Sequence, residues 1–420
     1  MCEYKKPSHR HGEHRLGDDQ QFWPSTEIFR YIQRRQNGHH VGYYPRRLMS
    51  QFVARQLPGL LSEKEYALGD INKIFASHWA SDRQVAFGTK CNKLIVMDLV
   101  SKQMVQIPSL QNSGQSSPAD CPCGIHSIAV NFSRSLLATG GENTNDLAVY
   151  RLPTFDPVCL GEQGHSDWLF DIKWLDDEFV VTGSRDSKMA LWCIKDDKDS
   201  DASTTSVSHI PMRSPDYGYD IVTPLTVKSC KKAEKVRALG YNHNNHEIAA
   251  LSLNAYVHFW DAKHFIQKCS RKLTYPRENV CMAVCPDKGL YAVGSQSHVT
   301  LLDSRAPKHV GCIVSKQRGC GIRSINFNHD MLTIGTGAAT IYFYDMIAGK
   351  YLELNCGHPC SLTAGKGWLL HDETYQDFFV DQEYPNAIYT HCFDNSGTKL
   401  FAAGGPLPAG LWGNYAGLWQ

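Results

Sequence analysis

The sequence predicts an all-β chain folded as a seven-bladed β-propeller, with a short N-terminal helical segment in front of it. Three observations carry this expectation. A small-residue turn followed by an apolar strand recurs seven times, as FGTKCNKLIVMD, ATGGENTNDLAVY, TGSRDSKMALW, LSLNAYVHFWD, VGSQSHVTLLD, IGTGAATIYFYD and AGGPLPAGLWGNYAGLW. Each copy follows a short apolar run, in order IFASHW, IHSIAVNF, LFDIKW, VRALGY, VCMAV, IRSINF and IYTHCF. Arg237 and Arg323, at the same place in the fourth and sixth runs, stand 86 residues apart, two periods of 43, the length of a four-stranded blade.

The elements follow in chain order. Residues 1–40, with HRHGEHR and few apolar positions, are expected to be a disordered tail of mixed charge. In 41–62, Leu48, Phe52, Val53 and Leu57 follow helical spacing, and Pro58 is expected to break the run before a second turn carrying Leu60 and Leu61. This amphipathic piece has no place in a propeller, so it either packs on the propeller's side or docks into a partner's groove. The propeller is assigned to 63–420, with inserts at about 105–121, 197–232 and 350–386. Its last unit ends at Trp419 on a third strand, so the outer strand must come from elsewhere, and KEYALG before the first blade is the donor.

Composition limits the function. A chain of 420 residues, 42% hydrophobic and 11% aromatic, exceeds ordinary single-domain size unless it is repetitive. Lys plus Arg number 43 against 42 Asp plus Glu, so the broad positive field of a nucleic-acid or anionic-membrane binder is missing and a basic site must be local. The 15 cysteines, odd in number and scattered, point to a reducing compartment, cytoplasm and nucleus. LIVM at 94–97 falls far short of a membrane helix. CPC (Cys121, Cys123) and CGHPC (Cys356, His358, Cys360) lack a second ligand pair at finger spacing, so neither metal nor cofactor is expected. Phosphate-loop, HExxH and GxSxG motifs are missing, and no carboxylate pair stands apart from turn aspartates, which argues against an enzyme.

The clearest unit, GHSDWLFDIKWLDDEFVVTGSRDSKMALW, resembles a WD40 repeat, with Gly164 and His165 as the GH pair, Asp186 in the turn and Trp192 in the third strand. In that family such residues form a structural hydrogen-bond chain, which makes His165 and Asp186 architectural rather than parts of a Ser-His-Asp set.

Architecture does not explain the arginine of TGSRDS. In a blade, the loop entering the innermost strand and the turn between the second and third strands share one rim. Arg185 and Lys90 sit in such turns, while Lys73, Lys235, Arg237, Arg277 and Arg323 lie at or just before innermost strands. All seven therefore converge on one channel mouth. A basic ring on a neutral molecule suits a compact, multiply charged anion: an acidic peptide, a chain terminus or a phosphate group.

LGDINKIFASHW, VAFGTKCNKL, LLATGGENTNDLAVYRLPTFDPVC, GKGWLLHDETY and the closing GTKLFAAGGPLPAGLWGNYAGLW go beyond the generic repeat. From about residue 41 to the end, the chain resembles the WD40 substrate receptors of cullin-4 RING ubiquitin ligases. The resemblance implies a non-catalytic receptor that binds the damaged-DNA-binding-protein-1 adaptor and presents substrates whose C-terminus ends in two glutamates. It carries the pocket to Lys73, Lys90, Arg185, Lys235, Arg237 and Arg323, with Arg277 resting on topology alone. It also implies adaptor docking through the 46–61 segment and an Asp-x-Arg on the opposite rim, met here by Asp303 and Arg305. The following blade keeps Asp345 but has Ile347 in place of the arginine. A scaffold reading internal acidic or phosphorylated peptides is the alternative.

Overall fold

Alternating strands need partners on both faces, and the chain supplies them by stacking sheets around a channel. The computed structural model describes residues 56–111, 123–195, 212–213, 218–306, 308–354, 357–380 and 382–420, with Gln33 and Gln36. Seven sheets result, antiparallel but for one parallel pairing in the second. Their innermost strands are Ile74–Trp79, Ala129–Val130, Leu169–Trp174, Val236–Asn242, Met282–Cys285, Ile322–Asn328 and Asn386–Phe393. They define blades 1 to 7.

The core is divided among seven clusters, one at each blade interface. The period of two in the strands explains this division: Ala86 faces blade 2 while its neighbour Phe87 faces blade 7. The cluster joining Phe87 and Met97 to Phe401 and Leu418 closes the ring.

Closure uses the strand Glu63–Glu65, which pairs antiparallel with Gly413–Trp419, Glu63 opposite Trp419. The donor therefore lies at the front of the predicted KEYALG run. Glu63 Oε1 accepts from Tyr415 Oη at 2.5 Å and from Gly365 N at 3.1 Å, so the two propeller ends are locked by side chains as well as backbone.

The expected inserts are corrected in one respect: each contains outer strands. Met104–Ile107 completes blade 1, Thr226–Ser229 completes blade 3, and Lys350–Tyr351 and Ser361–Thr363 both pair with the third strand of blade 6. Asp220–Val222 adds to blade 2 in parallel with Asp156–Gly161. Outer strands have solvent on one side, so their polar sequences resemble loops. The last insert also holds the helix Glu373–Phe378, N-capped by Asp372 accepting from Tyr375 N at 2.9 Å.

Before the propeller, Leu57–Gly59 forms a 3-10 turn with Leu57 and Pro58 buried. Leu61 packs on the blade 6–7 cluster and Leu60 is exposed. Pro58 thus sits inside a turn, not ahead of one, because its fixed φ and missing N–H are tolerated in a helix's first turn. Leu48, Phe52 and Val53 lie outside the described residues, as does most of the 1–40 tail. Gln33 and Gln36 are helical, a departure from the expected disorder that suits their good helix propensity.

Candidate binding site at the channel mouth

The innermost strands of blades 1, 3, 4 and 6 each break register one residue from their start, and that of blade 7 breaks three residues in. The residues skipped are Phe75, Phe170, Arg237, Arg323 and Tyr389. A bulged residue leaves the ladder and is re-aimed, and these five reach the channel. With His126 of blade 2 and Cys281 of blade 5 they line a cavity of about 250 Å³. One position per blade therefore builds the mouth: aromatic from blade 7 through blade 3, cationic at blades 4 and 6.

The aromatic arc is a contact network. Phe75 stacks on His126 at 4.7 Å, and Tyr389 and Phe170 meet these two edge-on at 5.3 and 5.1 Å. Burial drives the His126 pKa well below the usual histidine value, so the arc is uncharged.

Arg237 lies 4.8 Å over the Phe170 ring. Burial lowers its pKa, opposed by the charge of Asp171. That carboxylate is already committed: it accepts from Ser127 Oγ at 2.7 Å, Lys173 Nζ at 2.8 Å and Leu239 N at 2.6 Å. Among the described residues, no hydrogen bond or ion pair engages the Arg237 guanidinium. Arg323 lines the same cavity, with Nη2 2.6 Å from Glu278 Oε2.

Lys73 and Lys90 form a second group, joined by Lys90 N donating to Lys73 O at 2.8 Å. Lys73 is buried, and its Nζ donates to Pro408 O; Lys90 Nζ donates to Ala409 O at 2.8 Å. The second-to-third-strand turn of blade 7, residues 407–412, thus begins within GGPLPAG and is clamped by two lysines. Burial, then the neighbouring Lys90 charge, lowers the Lys73 pKa to about 7.

Arg185 stacks 4.5 Å over Trp168 and faces Asp167 at 3.6 Å. Lys235 is half-buried and Arg277 exposed, each on a loop entering an innermost strand. All seven predicted cations occur on one rim, but only Arg237 and Arg323 enter the cavity. The aromatic arc and the partner acids Asp167 and Glu278 were missed. The arc was readable: Phe75, His126, Phe170, Arg237, Cys281, Arg323 and Tyr389 are the second letters of the seven inner runs.

The GH–Trp chain is formed. His165 Nε2 meets Thr182 Oγ1 at 2.7 Å, Trp192 Nε1 donates to the same oxygen at 2.9 Å, and His165 Nδ1 lies 3.4 Å from Asp186. Gly164 is required because a Cβ there would stand 2.3 Å from the Trp192 ring. Of the cysteine groups, Cys360 is buried in the blade 6–7 core and Cys123 Sγ lies 2.9 Å from His126 Nε2. Cys121 and Cys356 are outside the described residues.

The family model described as the DDB1- and CUL4-associated factor 12 beta propeller matches residues 57–420. The chain belongs to that family. Two G-protein subunits are also similar: guanine nucleotide-binding protein subunit beta-1 of Caenorhabditis briggsae and subunit beta of Lymnaea stagnalis. Each is 34% identical over 131 residues, 30% of this chain and 35% of the relative. The chain thus matches about a third of the length of these curated relatives, which bears on the repeat alone. Receptors of the DDB1- and CUL4-associated factor 12 propeller family are in general non-catalytic.

On the opposite rim, Arg305 closes a two-bond fork on Asp303, Nε to Oδ1 at 3.0 Å and Nη2 to Oδ2 at 2.7 Å. In the next blade Asp345 accepts instead from the backbone of Ile347 and Ala348, and the Ile347 side chain is 66% exposed.

Proposed function

We propose that this chain is the substrate-recognition subunit of a cullin-4 RING ubiquitin ligase and that it binds protein C-termini ending in two glutamates. Family membership supports the ligase half, since the family is named for association with DDB1 and CUL4. The observation that carries the substrate half is the pair Arg237 and Arg323 inside one cavity, with Lys73 and Lys90 on the same rim. Two adjacent glutamates at a chain end present three carboxylates within a few bonds. Guanidinium forks and lysine point charges suit such a cluster.

Adaptor docking falls to the opposite rim, through Asp303 and Arg305, and to the 46–61 segment. Cysteines such as Cys123, Cys230, Cys281 and Cys285 carry free thiols, which suits the cytoplasm and nucleus.

The test is binding of a labelled peptide ending in Glu-Glu to wild type and Arg237→Glu, alongside the same peptide with its terminus amidated. Tight binding lost in both controls is the expected result. Binding indifferent to amidation would favour an internal acidic motif and a scaffold, and no binding would sink the substrate half. Capture of DDB1 by the full chain tests the other half.

A further inference from the structure

Arg323 faces the cavity already engaged. Its Nη2 donates to Glu278 Oε2 at 2.6 Å and to the Cys320 carbonyl at 3.3 Å, while its buried Nε has no hydrogen-bond partner among the described residues. The arginine side chain is 16% exposed and the glutamate 37%, so the acid covers the guanidinium from the solvent side.

The backbone is shaped for this contact. Glu278 has φ +56°, the left-handed region that few residues other than glycine enter. Opposite it, Gly321 has φ +70°, and a Cβ there would stand 2.6 Å from Glu278 Oε2 and 3.0 Å from Arg323 Nη2. The slot in front of Arg323 holds a carboxylate because position 321 has no side chain. The corresponding pair on blade 3, Asp167 and Arg185, is looser at 3.6 Å.

We propose that Glu278 is a specificity-determining residue: a built-in carboxylate that occupies Arg323 in the free receptor and competes with the ligand's carboxylate for it. The inference rests on the acidic-terminus reading above. A ligand acid entering this slot exchanges one charge-assisted bond for another, so Arg323 adds little net affinity until Glu278 is released. Arg237, which stacks on Phe170 but has no hydrogen bond or ion pair among the described residues, makes the first contact not already held by an internal acid. A ligand with one carboxylate is satisfied there, and only a terminus with further acids in reach has reason to displace Glu278. The competing acid therefore lowers the affinity of every ligand that uses Arg323 by the fraction of time the slot is filled.

The experiment measures anisotropy of a labelled peptide ending in Glu-Glu with the full chain, as wild type, Glu278→Gln, Glu278→Asp and Glu234→Gln. Glu278→Gln removes the competing charge. Glu278→Asp keeps the charge but shortens the reach by one methylene. Glu234→Gln removes an exposed acid from the loop before Lys235. Both Glu278 variants are expected to bind about tenfold tighter, the worth of one charge-assisted bond set free, with Glu234→Gln unchanged. A gain in Glu278→Gln and Glu234→Gln alike, with Glu278→Asp at the wild-type value, would mean a general field effect and overturn the inference. Weaker binding in the Glu278 variants would overturn it too, by making Glu278 a support for Arg323. Wild type that binds with no change in any variant removes only this inference, whereas failure of all four proteins to bind removes the acidic-terminus reading with it.

Discussion

Trp192 donates its indole N–H to the hydroxyl of Thr182 across 2.9 Å, and the same hydroxyl meets His165 at 2.7 Å. One oxygen thus serves two buried side chains on different parts of blade 3. Thr182→Val keeps the shape and removes that oxygen, leaving the indole and imidazole unpaired. We expect a loss of about 2 kcal/mol in urea denaturation.

Asp186 anchors the far end of this chain. Burial alone would raise its pKa, but the His165 imidazole 3.4 Å away and the hydrogen bond from Ser166 N bring it down to about 2, below the ordinary 3.8. A carboxylate with a depressed folded value stabilises above its unfolded pKa, and that contribution is lost as pH falls through the folded one. The stability gap between wild type and Asp186→Asn should therefore be full near about pH 5 and narrow towards about pH 2. A gap constant over that range would contradict the assignment.

Ring closure depends on Glu63, which bonds both Tyr415 Oη and Gly365 N. Glu63→Ala should cost about 2–3 kcal/mol, because it leaves a buried phenol without its charged acceptor. The same substitution at Lys64, whose neighbour-facing bond to Leu99 O is 3.4 Å long, should cost much less. Equal losses at the two positions would mean that the backbone ladder alone closes the ring.

The fold was legible because second and third strands are buried on both faces and carry strong apolar signals, as in EIAALS and YVHFWD. Outer strands such as Thr226–Ser229, half-buried and exposed by turns, carry none, so they disappeared into inserts. Of the cations that topology assigns to this rim, Arg237 and Arg323 line the cavity and the other five do not. The site's aromatic half was marked only by a shared place, the second letter of each inner run, and local alternation hid it: Phe75, Phe170 and Tyr389 lie at bulges, where an apolar letter reads as core. The pairing of Arg323 with Glu278 depends on two left-handed residues 43 positions apart, Glu278 and Gly321, which no local pattern connects.

Arg305 is exposed, with its guanidinium paired to Asp303 at 2.7 Å. Arg305→Ala should leave the melting temperature unchanged, since exposed pairs contribute little, and reduce capture of DDB1 by the full chain. Ile347→Arg is the converse test. Among the described residues only Oδ1 of Asp345 is seen to accept hydrogen bonds, from the backbone of Ile347 and Ala348, so an arginine at 347 should fold back on Oδ2 as Arg305 does on Asp303 and raise capture. Unchanged capture in both variants would place the adaptor contact on another part of that rim.

We expect Lys73 to make binding of an acidic C-terminus depend on pH near neutrality. Its folded pKa, about 7 from burial and the Lys90 charge, lies below its unfolded 10.5. The unfolded chain therefore holds more protons between these values, and folding stability attributable to Lys73 rises with pH across that window. Binding should run the opposite way. Carboxylates at the rim favour the ammonium form, so the complex takes up a proton that the free protein has partly released at pH 7. Affinity for a peptide ending in Glu-Glu should fall by up to about tenfold per pH unit above the folded value, the limit for one linked proton. Lys73→Gln should bind more weakly at about pH 6 and lose most of that slope, while Arg237→Gln should bind more weakly and keep it. A wild-type affinity that stays flat from about pH 6 to about pH 8.5 would show that Lys73 does not respond to the ligand, and would move the acid's contacts wholly onto the guanidinium side of the mouth.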